Sequence, residues 1–105
     1  MKSEPDYITL LCIHLRELGL EPVTEYQFHA RRKWRFDVCV PESKLACEVD
    51  GGAYTRGRHT RGAGFIADME KSNQAQIDGW KLLRFTPDQI RRGEDLEVLE
   101  NFRRL

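Results

Sequence analysis

Two short apolar runs, WRFDVCV over 34–40 and LACEVD over 45–50, are separated only by the turn residues Pro41, Glu42, Ser43 and Lys44. Alternating runs joined by so tight a turn read as neighbouring strands of a β-hairpin. No other feature constrains the fold as strongly, because strand alternation then decides which side chains share a face. In the first run Trp34, Phe36, Val38 and Val40 are expected on one face, with Arg35, Asp37 and Cys39 on the other. In the second, Leu45, Cys47 and Val49 leave one face while Glu48 and Asp50 leave the opposite one. The hairpin therefore sets Asp37 across from Glu48 or Asp50. Carboxylates converging in this way repel one another unless a cation occupies the gap.

The remaining elements follow from periodicity. Tyr7, Leu10, Leu11, His14, Leu15 and Leu18 recur at helical spacing, predicting a helix from Asp6 to Leu18, capped by Ser3 or Asp6 and ended by Gly19. Pro22 resets the chain, and Val23 to Phe28 reads as a strand. After a glycine-rich loop from Gly51 to Gly64, a helix is expected over Ile66–Asp78, closed by Gly79. Trp80 to Phe85 is a further strand, and a helix beginning near Pro87 or Asp95 completes the order α-β-β-β-α-β-α. The class is α/β, and 105 residues make one domain, 1–105, with a single core. No apolar run approaches the roughly 20 residues of a membrane span, and no signal-peptide pattern opens the chain. A soluble, cytoplasmic protein with no membrane partner is expected. Three cysteines, Cys12, Cys39 and Cys47, form no C-x-x-C pair and argue against a zinc site or a disulfide framework. Trp34, Trp80 and Phe85 are expected in the core rather than as base-stacking platforms.

Formal net charge is zero, yet the charge is unevenly distributed. Between Tyr26 and Arg61 the chain carries eight Lys or Arg against four acids, which makes the middle basic. Arg31, Arg32, Lys33 and Arg35 cluster about one turn; Arg56, Arg58, His59 and Arg61 lie in the glycine-rich loop. Guanidinium forks among glycines suit a phosphodiester backbone, and contacts of this kind give affinity without sequence readout. DNA is the expected partner, with RNA left open because backbone contacts discriminate poorly. The plainer alternative is a solvated surface loop. His59 would bind phosphate or protonate a leaving group; a His-Asn-His metal finger needs a second nearby histidine that the chain lacks. The hard carboxylates Asp37, Glu48 and Asp50 would select magnesium, with manganese as a substitute. An E-x-D pair alone also fits a solvated sheet face, but Gly51 and Gly52 at the strand end permit close approach of a backbone or ligand.

Asp37 followed by Glu48-Val49-Asp50 resembles the D…E-x-K signature of the PD-(D/E)XK nuclease superfamily. The ordered string WRFD, LACEVDGG, GRHTRGAGF, DMEKSN and GWKLLRF, spanning about residues 25–86, is more specific. It resembles small, often phage-encoded endonuclease domains related to very-short-patch-repair and RecB-like nucleases. That resemblance implies a restriction-endonuclease-like αβββαβ core: a mixed four-stranded sheet flanked by helices, followed here by a C-terminal helix. It implies catalytic roles for Asp37, Glu48, Asp50 and Lys71. Asp37 and Glu48 would bind the metal, with the Val49 carbonyl and Asp50 as further ligands.

Asp50 stands where many members carry lysine. Lys71 is the substitute that the resemblance suggests, with Asp68 one turn before it, and Asp50 becomes either a third ligand or a water-positioning acid. On a helical wheel Ile66, Met69 and Ile77 form one side together with Glu70 and Asn73, opposite Lys71 and Asp68. Periodicity alone favours burying the Glu70 and Asn73 side; the resemblance favours the Lys71 side. Glu25 is a candidate outer acid of the site. The implied function is a magnesium-dependent DNA endonuclease with no small-molecule cofactor, acting as monomer or homodimer. The rivals are a catalytically silent nucleic-acid-binding module of the same fold and a protein-interaction subunit.

Overall fold

The computed structural model describes residues 6–51 and 62–105. Helix α1 (Tyr7–Glu17) starts at Asp6, whose carboxylate accepts the Thr9 backbone N–H at 3.2 Å. Strands β1 (Val23–Gln27), β2 (Arg35–Val40) and β3 (Leu45–Val49) follow, with a 3₁₀ turn at Pro41–Ser43 between the last two. Helix α2 (Ala63–Ile77) leads into β4 (Lys81–Phe85), with Gly79 at φ 91° turning the chain between them. Each strand is one residue shorter than the apolar run that predicted it. The C-terminal segment is two helices rather than one. Thr86 and Gln89 form a capping box that opens α3 (Pro87–Arg91), and Gly93 at φ 77° separates it from α4 (Glu94–Arg103). Both suggested starting points are thus used, because Gly93 takes a left-handed conformation that a helix interior does not allow.

The sheet order is β1-β2-β3-β4. The first three strands pair antiparallel, whereas β3 and β4 pair in parallel, with α2 as their crossover. The sheet is therefore mixed, with helices on both faces. On one face Leu11 and Leu15 of α1, Ile90 of α3 and Leu99 of α4 pack on Val38, Val40, Leu45 and Cys47. On the other, Ala75 of α2 packs with Phe36, Cys39, Ala46 and Trp80. The cysteines are all buried and free, as small apolar side chains in a core. Burial alone pushes the Cys39 thiol up to about 11.

The expected alternation of β2 fails at one point. Val38 and Val40 face α1, but Phe36 lies with Cys39 on the α2 face, stacked on Phe28 at 4.2 Å. The cause lies across the ladder. Thr24 pairs with Val38 and Tyr26 with Phe36, and between them Glu25 takes a left-handed φ of 56° opposite Asp37. A non-glycine residue in that region costs roughly 1–2 kcal/mol. Glu25 is exposed, so Glu25→Gly is expected to raise stability by about 1 kcal/mol and Tm by several degrees in thermal unfolding. An unchanged or lower Tm would mean that the kink is held by the Glu25 side chain.

Candidate active site

The β2–β3 ladder runs from Val40↔Leu45 to Val38↔Cys47 and then parts. Side chains take over where backbone pairing stops. The Asp37 N–H donates to Glu48 Oε2 at 3.3 Å, and the Val49 N–H donates to Asp37 Oδ2 at 2.8 Å. Each carboxylate is thus fixed by the neighbouring strand's backbone. Glu48 is buried on the α2 face, and Lys71 of α2 donates to its Oε2 at 3.0 Å. Lys71 also lies 5.8 Å from the Phe36 ring, a cation–π distance that steadies its stem over the sheet. Burial raises the Glu48 pKa; Lys71 opposes the rise and Asp37 adds to it.

These groups gather at the C-terminal ends of the two parallel strands, the usual place for a site in an open α/β sheet. Gly51 follows at once, and a Cβ there would come within 3.2 Å of the Pro87 ring. The close approach expected of that glycine is made by the start of α3.

The Lys71 side of α2 meets the sheet, as the resemblance implied and periodicity did not. Ile66, Met69 and Ile77 are 55%, 49% and 76% exposed, so the apolar stripe faces away from the core. Asp68 shares the Lys71 side and meets Arg84 at 3.4 Å. Glu70 points outward and pairs with Arg32 at 3.5 Å; Asn73 is exposed. Neither they nor Glu25 join the carboxylate cluster. Arg31, Arg32, Lys33 and Arg35 are all exposed around the β1–β2 turn. That turn is well braced: His29 Nδ1 accepts the backbone N–H groups of Arg31 and Arg32, and Gln27 donates to the carbonyls of His29 and Arg32. Trp34 is only half-buried and carries the Arg32 guanidinium 4.1 Å above its ring, while Trp80 and Phe85 are core. Arg56, Arg58, His59 and Arg61 lie outside the described residues.

Sequence reasoning missed Arg84. It stands in β4 in register with Glu48 and donates from Nη1 to both oxygens of Asp50, at 3.2 and 3.0 Å. Its signal was an arginine inside a short apolar strand, KLLRF, two residues from the inward-facing Leu82.

Among the described residues, no group of three or more His, Cys, Asp or Glu side chains is arranged to hold a metal ion. The donor set is narrower: Asp37 and Glu48, whose Oδ1 and Oε1 take no hydrogen bond from the described residues. Two carboxylates with one unengaged oxygen each fit magnesium, which keeps several waters and uses one or two protein carboxylates beside substrate phosphate.

The catalytic domain of the homing endonuclease I-Bth0305I has a similar structure. The TM-score is 0.66, over 93% of this chain and 92% of that domain, at 16% sequence identity. No protein-family model and no curated protein matches the sequence. The structural likeness establishes the fold class, a mixed four-stranded sheet with flanking helices and a C-terminal helix, shared with a nuclease domain.

Proposed function

We propose that this chain is a metal-dependent endonuclease of the PD-(D/E)XK type that hydrolyses phosphodiester bonds in DNA. The observation that carries the proposal is the Asp37–Glu48–Lys71 cluster at the parting of β2 and β3, two carboxylates and an ammonium held by backbone donors and one ion pair. Magnesium or manganese, when bound there, would supply an acidified water and offset charge on the phosphoryl oxygens. Asp37 and Glu48 would hold the ion. Lys71, anchored on Glu48, presents a donor that orients the attacking water for in-line displacement and stabilises the developing charge. Arg31, Arg32, Lys33 and Arg35 flank the site as a braced cationic turn that tracks the DNA backbone.

A second reading rests on Asp50, which stands in the lysine position of the resemblance and is paired with Arg84. In that reading the fold binds nucleic acid without cutting it. Cleavage of plasmid, linear and branched DNA in EDTA, Mg²⁺, Mn²⁺ or Ca²⁺ separates the two. The nuclease cuts in Mg²⁺ and Mn²⁺ and is silent in EDTA. Binding of DNA without cleavage of any substrate in any of these ions would establish the silent module instead.

A further inference from the structure

Arg84 is held from three sides. Nη1 bonds both oxygens of Asp50, while Nη2 donates to Ser72 Oγ at 2.6 Å and to Asp68 Oδ2 at 3.4 Å. Partial burial works against its charge, but the Asp50 hydrogen bond and the Asp50, Asp68 and Glu48 carboxylates outweigh it and hold the guanidinium ionised. A planar fork fixed at both nitrogens cannot swing away without losing several charge-assisted bonds together.

This bears on how a cation is held. Strand alternation sends Asp50 out on the same face as Glu48, where a third carboxylate would enter the ligand set. Arg84 instead engages both of its oxygens. Among the described residues, the carboxylates Asp37, Glu48, Asp50 and Asp68 outnumber the cations Lys71 and Arg84 around them, an acidic excess that favours a bound cation.

We propose that Arg84 is a positioning residue that keeps Asp50 out of the metal's ligand set, so that Asp37 and Glu48 hold the ion with positions left open for water and phosphate. The inference rests on the metal-dependent function proposed above. Asp50 then acts as a fixed anion beside the ion, not as a ligand. Releasing it adds a ligand and removes a cation, which strengthens metal binding while closing a position that substrate and water need.

The test is Mn²⁺ titration by calorimetry without DNA, on wild type, Arg84→Gln, Asp50→Asn and the double variant, with kcat and KM for DNA cleavage alongside. Arg84→Gln is expected to bind Mn²⁺ about tenfold more tightly and to lose kcat by about tenfold or more. Asp50→Asn should weaken Mn²⁺ binding by less than about tenfold, and the double variant should return to near the wild-type affinity. Arg84→Lys keeps the charge but loses the planar fork, so tightening that persists in Arg84→Lys is expected from release of Asp50 and not from loss of a cation alone. Should Arg84→Gln fail to fold, Asp50→Asn and the charge-conserving Arg84→Lys still decide. Weakening of tenfold or more in Asp50→Asn makes Asp50 a ligand and overturns the proposal, as does unchanged Mn²⁺ affinity in a folded Arg84→Gln. Absence of Mn²⁺ binding in wild type removes the metal-dependent function itself, an outcome distinct from either.

Discussion

Glu48→Ala is expected to lower metal-supported DNA cleavage on the order of 10³-fold, about 4 kcal/mol of transition-state stabilisation. Three tasks converge on this one carboxylate. It accepts the Asp37 N–H at the point where the strands part and anchors Lys71, and in the proposed function it would also offer an oxygen to the metal. On that proposal, truncation would remove a ligand and release the Lys71 ammonium together. Lys71→Ala leaves both carboxylates in place and should cost less, on the order of 10²-fold, because only the donor is lost.

Glu48→Gln provides a second readout through pH. Burial raises the folded pKa of Glu48 above its ordinary 4.5. A carboxyl shifted upward contributes stability that is fully present below the unfolded value and is lost as pH rises through the folded value. Metal-free wild type should therefore lose stability as pH climbs from about 4.5 through the Glu48 titration. Glu48→Gln should lose that contribution to the slope, as followed by Tm across the acid range. Identical pH–Tm profiles would show that Glu48 is not destabilised by its burial.

The second large effect is on stability and lies on the opposite face of the sheet. His14 of α1 and Asp95 of α4 meet at 2.7 Å, with Asp95 fully buried and its Oδ1 without a partner among the described residues. The pair ties the first helix to the last. Removing one partner of a buried pair typically costs 3–5 kcal/mol, because the other is left desolvated. Asp95→Ala should therefore cost about 3 kcal/mol, a fall in Tm of roughly 15 °C for a domain of this size. Asp95→Asn, which keeps an acceptor for His14, should cost less. Cleavage measured below the lowered Tm should be nearly unchanged, since the sheet separates this pair from Glu48. A Tm within a few degrees of wild type for Asp95→Ala would mean that the pair adds nothing to the fold.

The elements were legible because their signals are local: alternation in β2 and β3, Asp6 and Gly79 at helix ends, and Pro87 near the start of α3. Asp37, Glu48 and Lys71 were legible as a set only through resemblance. The apolar stripe of α2 argued for the wrong side, because the side that meets the sheet is built from Ala75 and the polar groups Asp68, Lys71 and Ser72. Two features depended on placement that no local pattern encodes. Arg84 reaches Asp50 through the parallel register of β3 and β4, which the intervening crossover sets. His14 finds Asp95 only because α1 and α4 pack on the same face, 81 residues apart in sequence. The break in β2 alternation at Phe36 likewise comes from a left-handed Glu25 on the neighbouring strand, a residue type that gives no warning of that conformation.

The most direct measurement is conversion of supercoiled plasmid by wild type and Glu48→Gln side by side, in Mg²⁺ and in EDTA, with DNA binding of both checked in Ca²⁺. A metal-dependent nuclease built on Glu48 predicts conversion only by wild type and only in Mg²⁺, with binding retained by both proteins. Conversion that persists in EDTA, or that Glu48→Gln supports at the wild-type rate, would contradict it.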